Sequence, residues 1–109
     1  MSIDDNKTAI DLWKIIAHYG YAHQKEKAIE ELNELGQALA RDLQGNGNRE
    51  NIAEEMADVH IMLGQLQLIY GNRDAVALAI DDKLCRVLDR IEEERMGKGV
   101  RENGIRQTD

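Results

Sequence analysis

Two pairs of acidic residues have a spacing that lets each pair act as a unit: Glu31 with Glu34, and Glu55 with Asp58. The members of each pair are three residues apart, and residues at that spacing are neighbours on one face of an α-helix. Each segment would therefore present two carboxylates to the same side. Carboxylate pairs of this kind can hold a hard metal ion or handle protons.

The first acid of each pair falls in the apolar stripe of its segment. Glu31 is three residues after Ala28 and four before Leu35, and Glu55 is four before Val59. Buried carboxylates cost several kcal/mol unless compensated, and neighbouring like charges raise each other's pKa. A divalent cation removes both problems, and oxygen ligands suit Mg²⁺ or Mn²⁺. Two facing pairs on antiparallel helices would form such a site.

The competing interpretation of the acids is structural, since acidic residues on helix faces are commonly only solvated. Other metals fit less well. A di-iron bundle normally needs Glu-x-x-His pairs, and no histidine here follows a Glu by three residues. Zinc would need a cluster of Cys and His, whereas the chain has one cysteine and three unclustered histidines.

Cationic and aromatic residues are candidates for contacts with phosphate and base. Lys27 is one turn before Glu31, and Lys83 and Arg86 lie on one side of the fourth segment. All three could bind phosphate, although Lys27 could equally pair with Glu31 or Glu30, and Arg86 could pair with an acid one turn away. Trp13 could stack on a base, but its use as a core anchor is favoured because aromatic residues are scarce.

Helical periodicity and glycine-containing breaks divide the chain into four predicted helices. Asn48 is the expected N-cap of the third helix, and Gly20 and Gly71 are expected helix ends. Few apolar residues follow Gly97, so residues 97–109 are predicted to form a mobile tail. The predicted helices cover residues 6–19, 22–43, 49–70 and 72–96, within one all-α domain at 1–96.

The overall composition narrows the class of protein. A formal net charge of −7 disfavours nonspecific binding to nucleic acid. The single cysteine, Cys85, suits a reducing compartment, and neither an export signal nor a membrane-spanning segment is recognisable. The glycines at Gly45 and Gly47 lack the Gly-Lys-Ser/Thr sequence of a phosphate-binding loop. We expect a cytoplasmic protein that binds neither nucleic acid nor membrane.

The arrangement Glu31-x-x-Glu34, a gap of twenty residues, then Glu55-x-x-Asp58 resembles the MazG-like all-α nucleoside triphosphate pyrophosphohydrolases. The similarity covers most of the chain. Residues 27–35 and 54–59 are similar to the two metal-binding helices of that family, and Lys83 with Arg86 is similar to its basic motif. Members often have Asn two residues before that lysine, where this chain has Asp81.

The resemblance implies a fold, a reaction and a set of roles. It implies a four-helix bundle completed by formation of a homodimer or homotetramer. It also implies that Mg²⁺, held by the four acids, orients a nucleoside triphosphate for attack by water at the α-phosphorus, giving monophosphate and pyrophosphate. Glu34 and Glu55 would be catalytic, Glu34 by positioning or deprotonating the water. Lys27, Lys83 and Arg86 would offset phosphate charge.

Two alternatives stay open from the sequence. The chain could be a noncatalytic helical module for regulation or assembly, because it offers no nucleophile, histidine pair or phosphate loop. Within the enzyme class, the substrate could be a pyrophosphate other than a standard triphosphate. Base and sugar preference, the number of metal ions and the choice between dimer and tetramer are not determined by these residues.

Overall fold

The computed structural model describes residues 5–101, with side chains up to Gly97. Within that range the chain consists of four α-helices and contains no strand, so the all-α prediction is confirmed. The helices are α1 (Asn6–Tyr19), α2 (Tyr21–Leu43), α3 (Arg49–Tyr70) and α4 (Arg73–Arg101).

Residues at the helix ends show why α1 and α3 begin where they do. The Asp5 carboxylate accepts hydrogen bonds from the Thr8 amide and hydroxyl, at 3.3 Å and 2.9 Å, and these bonds lower the pKa of Asp5. Asn48 caps α3 as predicted, since its Oδ1 accepts a bond from the Asn51 amide at 3.1 Å. Each cap supplies an acceptor to an amide that has no partner within the helix.

Two glycines end helices in the way the sequence predicts. Gly20 follows α1 with φ of 91°, and its amide donates to the Ile16 carbonyl at 2.8 Å. Gly71 follows α3 in the left-handed conformation, with φ of 61°, and its amide donates to the carbonyl of Gln67. A side chain at either φ would be strained.

The helices α1 to α3 form one compact unit, and α4 forms a second, with the division after Asn72. In the first unit α2 packs mainly against α3, and α1 lies against both. The short connection between α2 and α3 makes them antiparallel neighbours. The core of this unit consists of Leu12, Ile16, Ala28, Ala38, Val59 and Met62.

The apolar residues of α2 have a spacing that predicts one buried face, and this face is wider than the surface that α1 and α3 cover. They include Ala28, Ile29, Leu32, Leu35, Ala38 and Leu39. Ala28 and Ala38 are buried, but Ile29, Leu32 and Leu39 are exposed. The expectation that the whole stripe is core is therefore wrong for this chain. The reason is geometric, because two neighbouring helices cover only part of the circumference of a third.

The fourth helix differs from the prediction in length and in burial. It continues to Arg101 rather than ending near Met96, since glycine at position 97 costs only about 1 kcal/mol in a helix. The rest of the predicted tail lies outside the described residues. The helical spacing of its apolar residues predicts that Leu84 and Leu88 face inward, but both are exposed, at 56 % and 64 %.

Among the helices that the structure describes, none combines the length and the hydrophobicity required to span a bilayer.

Candidate metal centre

Three of the four predicted acids meet where α2 faces α3. Glu31 comes from α2, and Glu55 and Asp58 come from α3. One carboxylate oxygen of each lies within 4.8 Å of the others. Glu31 is buried, Glu55 is half-buried and Asp58 is exposed, so the cluster runs from the interior of the unit to its surface.

The fourth acid, Glu34, lies in a neighbouring group. Oxygen atoms of Glu30, Glu31 and Glu34 are within 4.8 Å of one another, which makes Glu31 common to both groups. Glu34 is half-buried and Glu30 is exposed. The structure thus places Glu34 beside the centre formed by Glu31, Glu55 and Asp58, rather than within it.

The buried side of the centre has acceptor atoms without donors. Glu31 is more than nine-tenths buried, at 6 % exposed. Its Oε2 and the Oε2 of Glu55 are both buried without a hydrogen-bond partner. Buried polar atoms normally have partners, and a buried carboxylate oxygen without one is costly. A ligand that supplies positive charge would remove this cost.

The electrostatic setting of Glu31 favours the neutral form of its carboxyl group. Burial raises the pKa of Glu31 above its usual value, against the hydrogen bond from Lys27, and the charges of Glu34 and Asp58 raise it further. The cause is desolvation of the carboxylate combined with repulsion from like charges. A divalent cation would reverse both effects and favour the ionised form.

Lys27 on α2 forms an ion pair with an acid of the centre. Its Nζ lies 3.2 Å from Oε1 of Glu31 and 3.5 Å from Oε1 of Glu30. The bond to Glu31 and the charge of Glu30 raise the pKa of Lys27, so the ammonium form is held. Lys27 therefore forms the ion pairs with Glu31 and Glu30 that were the expected alternative to phosphate binding. A contact of Lys27 with phosphate stays a prediction.

The spacing of the oxygen atoms fits a small divalent cation after a minor adjustment. Two oxygens bound to one Mg²⁺ at about 2.1 Å each lie at most about 4.2 Å apart. Atoms already within 4.8 Å would close that difference by side-chain rotation. The donor set consists only of carboxylates, with one ammonium beside three acids, which suits Mg²⁺ or Mn²⁺.

The remaining predicted site residues come from α4, which forms the second unit, and from α1. Lys83 is exposed on α4, and Arg86 on the same helix pairs with Asp82 at 2.6 Å. The pair of Arg86 with Asp82 is the surface ion pair that was the expected alternative to phosphate binding by Arg86. Trp13 on α1 is 41 % exposed, so its expected use as a buried core anchor is wrong within this chain, and stacking on a base stays a prediction.

Two residues of the interface were missed by the sequence analysis. Gln24 and Gln65 are buried, at 3 % and 1 % exposed, and the Nε2 of Gln24 donates to the Oε1 of Gln65 at 2.8 Å. A usable signal existed, because Gln24 is seven residues before Glu31 and Gln65 is seven after Asp58. Continuing each stripe by two turns would have found both.

The chain matches no protein-family model, no curated protein and no solved structure.

Proposed function

We propose that this protein is a Mg²⁺-dependent nucleoside triphosphate pyrophosphohydrolase of the MazG-like type, which converts an NTP or dNTP to its monophosphate and pyrophosphate. Nucleotide-pool housekeeping is the role that this reaction would serve. The proposal joins the motif resemblance to one observation of the structure, namely the carboxylate centre of Glu31, Glu55 and Asp58.

The observation that carries the proposal is the pair of buried oxygen atoms without partners. Acidic clusters on a protein surface are common, and most of them are only solvated. In this centre the Oε2 atoms of Glu31 and Glu55 are shielded from water and receive no hydrogen bond. A fold that buries such atoms without partners gains stability when a cation binds them.

A bound Mg²⁺ would neutralise the triphosphate and make a water molecule more acidic. Glu31, Glu55 and Asp58 would hold the Mg²⁺ ion, and the ion pair with Lys27 would keep Glu31 in place. Glu34, which lies beside the centre, would accept a proton from the attacking water or orient it. The water would add at the α-phosphorus. The bond from this phosphorus to the oxygen that bridges the α- and β-phosphates would break, and pyrophosphate would leave.

The basic residues have two different tasks in this proposal. Lys27 is already paired with Glu30 and Glu31, so it would approach a phosphate only by giving up part of that pairing. Lys83 and Arg86 on α4 would offset charge on the β- and γ-phosphates. The base would be held by aromatic surface such as the exposed face of Trp13.

The decisive experiment measures pyrophosphate and monophosphate release from a panel of NTPs and dNTPs, with Mg²⁺ and with a chelator. We expect Mg²⁺-dependent formation of both products. Glu55→Gln should abolish turnover while its circular dichroism spectrum stays helical. The matched control is Glu54→Gln, because Glu54 is exposed and belongs to neither acidic group; full activity of Glu55→Gln would overturn the proposal.

A noncatalytic helical module for regulation or assembly is the second candidate, and the exposed apolar side of α4 favours it. Such a module has no reason to respond to metal. Thermal melting with and without Mg²⁺ and a nonhydrolysable nucleotide separates the two candidates. Stabilisation that requires both metal and nucleotide supports the enzyme, and unchanged melting together with no product supports the module.

We further propose that the enzyme is a cytoplasmic homodimer or homotetramer in which a second copy covers the exposed apolar residues. On α4, Ile80, Leu84, Val87 and Ile91 recur at spacings of four and three, the pattern of a helix-pairing seam. These residues are about half exposed in the single chain. Light scattering should give a multiple of 12.4 kDa, and Leu84→Glu should shift it toward the monomer.

A further inference from the structure

A buried pair of glutamine side chains joins α2 to α3, and the proposed reaction does not use it. The Nε2 of Gln24 donates to the Oε1 of Gln65 at 2.8 Å. The Oε1 of Gln24 accepts from the Nδ1 of His23 at 2.8 Å, and the Nε2 of Gln65 contacts the sulfur of Met62 at 3.7 Å. Both buried amides therefore have partners, and the bond between them directly connects the two helices that carry the acidic centre.

Three facing pairs of residues record the register of α2 against α3. Each pair is seven residues further along α2, and seven residues further back along α3, than the pair before it. The pairs are Gln24 with Gln65 by a hydrogen bond, Glu31 with Asp58 by grouped carboxylates, and Ala38 with Asn51 by lining the same cavity of about 370 Å³. Seven residues span about 10.5 Å of helix, so the glutamine pair lies two turns from the acidic centre.

Apolar contacts alone select this register weakly. The buried and half-buried apolar positions recur at spacings of three and seven residues, as Ala28, Leu35 and Ala38 on α2 and Val59 with Met62 on α3. A slip of one turn, about 5 Å, again places apolar side chains opposite one another. The same slip would carry Glu31 away from Glu55 and Asp58 and would dissolve the centre.

The glutamine pair distinguishes the observed register from the slipped ones. A slip would leave both amides buried without partners, which costs far more than a change of apolar neighbour. Single buried polar residues fix register in paired helices by the same physics. We propose that Gln24 and Gln65 are a positioning pair, which holds α2 and α3 in the register that sets Glu31 opposite Glu55 and Asp58. The part of this inference that is tested by Mn²⁺ affinity rests on the proposed function.

The test replaces both glutamines by methionine, which has a similar shape and no hydrogen-bonding amide. In the double variant Gln24→Met/Gln65→Met no buried amide is left unpaired, so the chain should stay helical. Two quantities are measured. Mn²⁺ affinity by electron paramagnetic resonance should fall by about tenfold or more, as when supporting partners of a metal site are lost. Nuclear Overhauser contacts between methyl groups of α2 and α3 should show a second set, from a slipped register.

The control is Gln37→Met on the exposed side of α2, which should bind Mn²⁺ as the unaltered chain does. The single variants Gln24→Met and Gln65→Met should melt at least about 5 °C below the unaltered chain, because each leaves the other buried amide without its partner. One set of interhelical contacts and unchanged Mn²⁺ affinity in the double variant would overturn the inference. If the unaltered chain binds no Mn²⁺, the proposed function fails, and the interhelical contacts alone decide the register.

Discussion

The ammonium of Lys27 lies 3.2 Å from one oxygen of the Glu31 carboxylate, while the other oxygen of the same carboxylate is buried without a partner. The two oxygens of Glu31 therefore have different environments. One oxygen is paired with an internal cation and the other receives no bond, and one carboxylate oxygen of Glu31 lies within 4.8 Å of oxygens of Glu55 and Asp58. The pairing with Lys27 orients Glu31 in the absence of a ligand. The second carboxylate oxygen is then available to bind one.

Replacing Lys27 tests how the internal cation and a metal ion share this charge. Lys27→Met removes a positive charge one turn from the centre, so Mn²⁺ should bind about threefold to tenfold more tightly, because repulsion between the two cations is lost. Turnover should fall if Lys27 also contacts phosphate. Titration calorimetry and product release measure the two effects separately.

The matched control for this variant is Lys14→Met, which makes the same change in net charge on an exposed face of α1. It should leave both Mn²⁺ affinity and turnover close to those of the unaltered chain. Weaker Mn²⁺ binding by Lys27→Met would show instead that the ammonium is needed to orient Glu31.

Glu31→Gln should stabilise the chain in the presence of a chelator at pH 7. Burial raises the pKa of Glu31 above the ordinary 4.5, so the ionised form of its carboxyl group is disfavoured in the folded chain relative to the unfolded chain. A neutral amide removes this penalty, and a gain of about 1 kcal/mol in the free energy of unfolding is expected. With added Mg²⁺ the unaltered chain should become the more stable of the two, since only the carboxylate binds the ion.

The pH dependence of the same comparison follows from linkage. Between the unfolded and folded pKa values the folded chain binds more protons at Glu31, so the contribution of this group to stability increases as the pH falls. The advantage of Glu31→Gln should therefore shrink as the pH falls through the raised pKa of Glu31 in the folded chain, and vanish below the ordinary pKa of 4.5. Urea unfolding in chelator at several pH values measures it; an advantage independent of pH would contradict the assignment.

Local signals in the sequence determined the helix boundaries and the position of the acids. Asn48, Gly20 and Gly71 act through their own backbone and side-chain chemistry, which is why they could be assigned without a fold. Glu31 could be assigned to the interface because three- and four-residue spacings define a helix face. The predicted helix starts are within a residue of those observed.

Pairings between elements were harder to predict than the elements. The Gln24–Gln65 bond depends on the register of two helices, and the place of each glutamine in a stripe indicates a helix face but not the residue with which it pairs. The apolar residues of α4 gave the opposite error. Their periodicity predicts a covered face, but it does not identify the surface that covers it, and residues such as Leu88 are exposed in the single chain.

The N-cap of α3 can be tested apart from any function. Asn48→Ala removes the acceptor for the Asn51 amide and should lower the free energy of unfolding by about 1 kcal/mol. Asn46→Ala in the same loop is the control, because its side chain does not cap the helix, and it should change stability little. Urea unfolding followed by circular dichroism measures both; equal effects of the two variants would argue against the cap.

Glu34 can be separated from the metal ligands by comparing affinity with rate. It groups with Glu30 and Glu31 rather than with Glu55 and Asp58. Glu34→Gln should therefore lower kcat by a factor of about 100 or more if it handles the proton of the attacking water, with a change in Mn²⁺ affinity smaller than that caused by Glu55→Gln.

The control for this comparison is Glu30→Gln, which removes an equal charge from the same group at an exposed position. It should alter kcat only slightly. If Glu34→Gln loses Mn²⁺ binding as completely as Glu55→Gln does, the side chain of Glu34 turns toward the metal when the metal binds. Glu34 would then be a fourth ligand, and the general base would be the water-facing oxygen of another carboxylate in the centre.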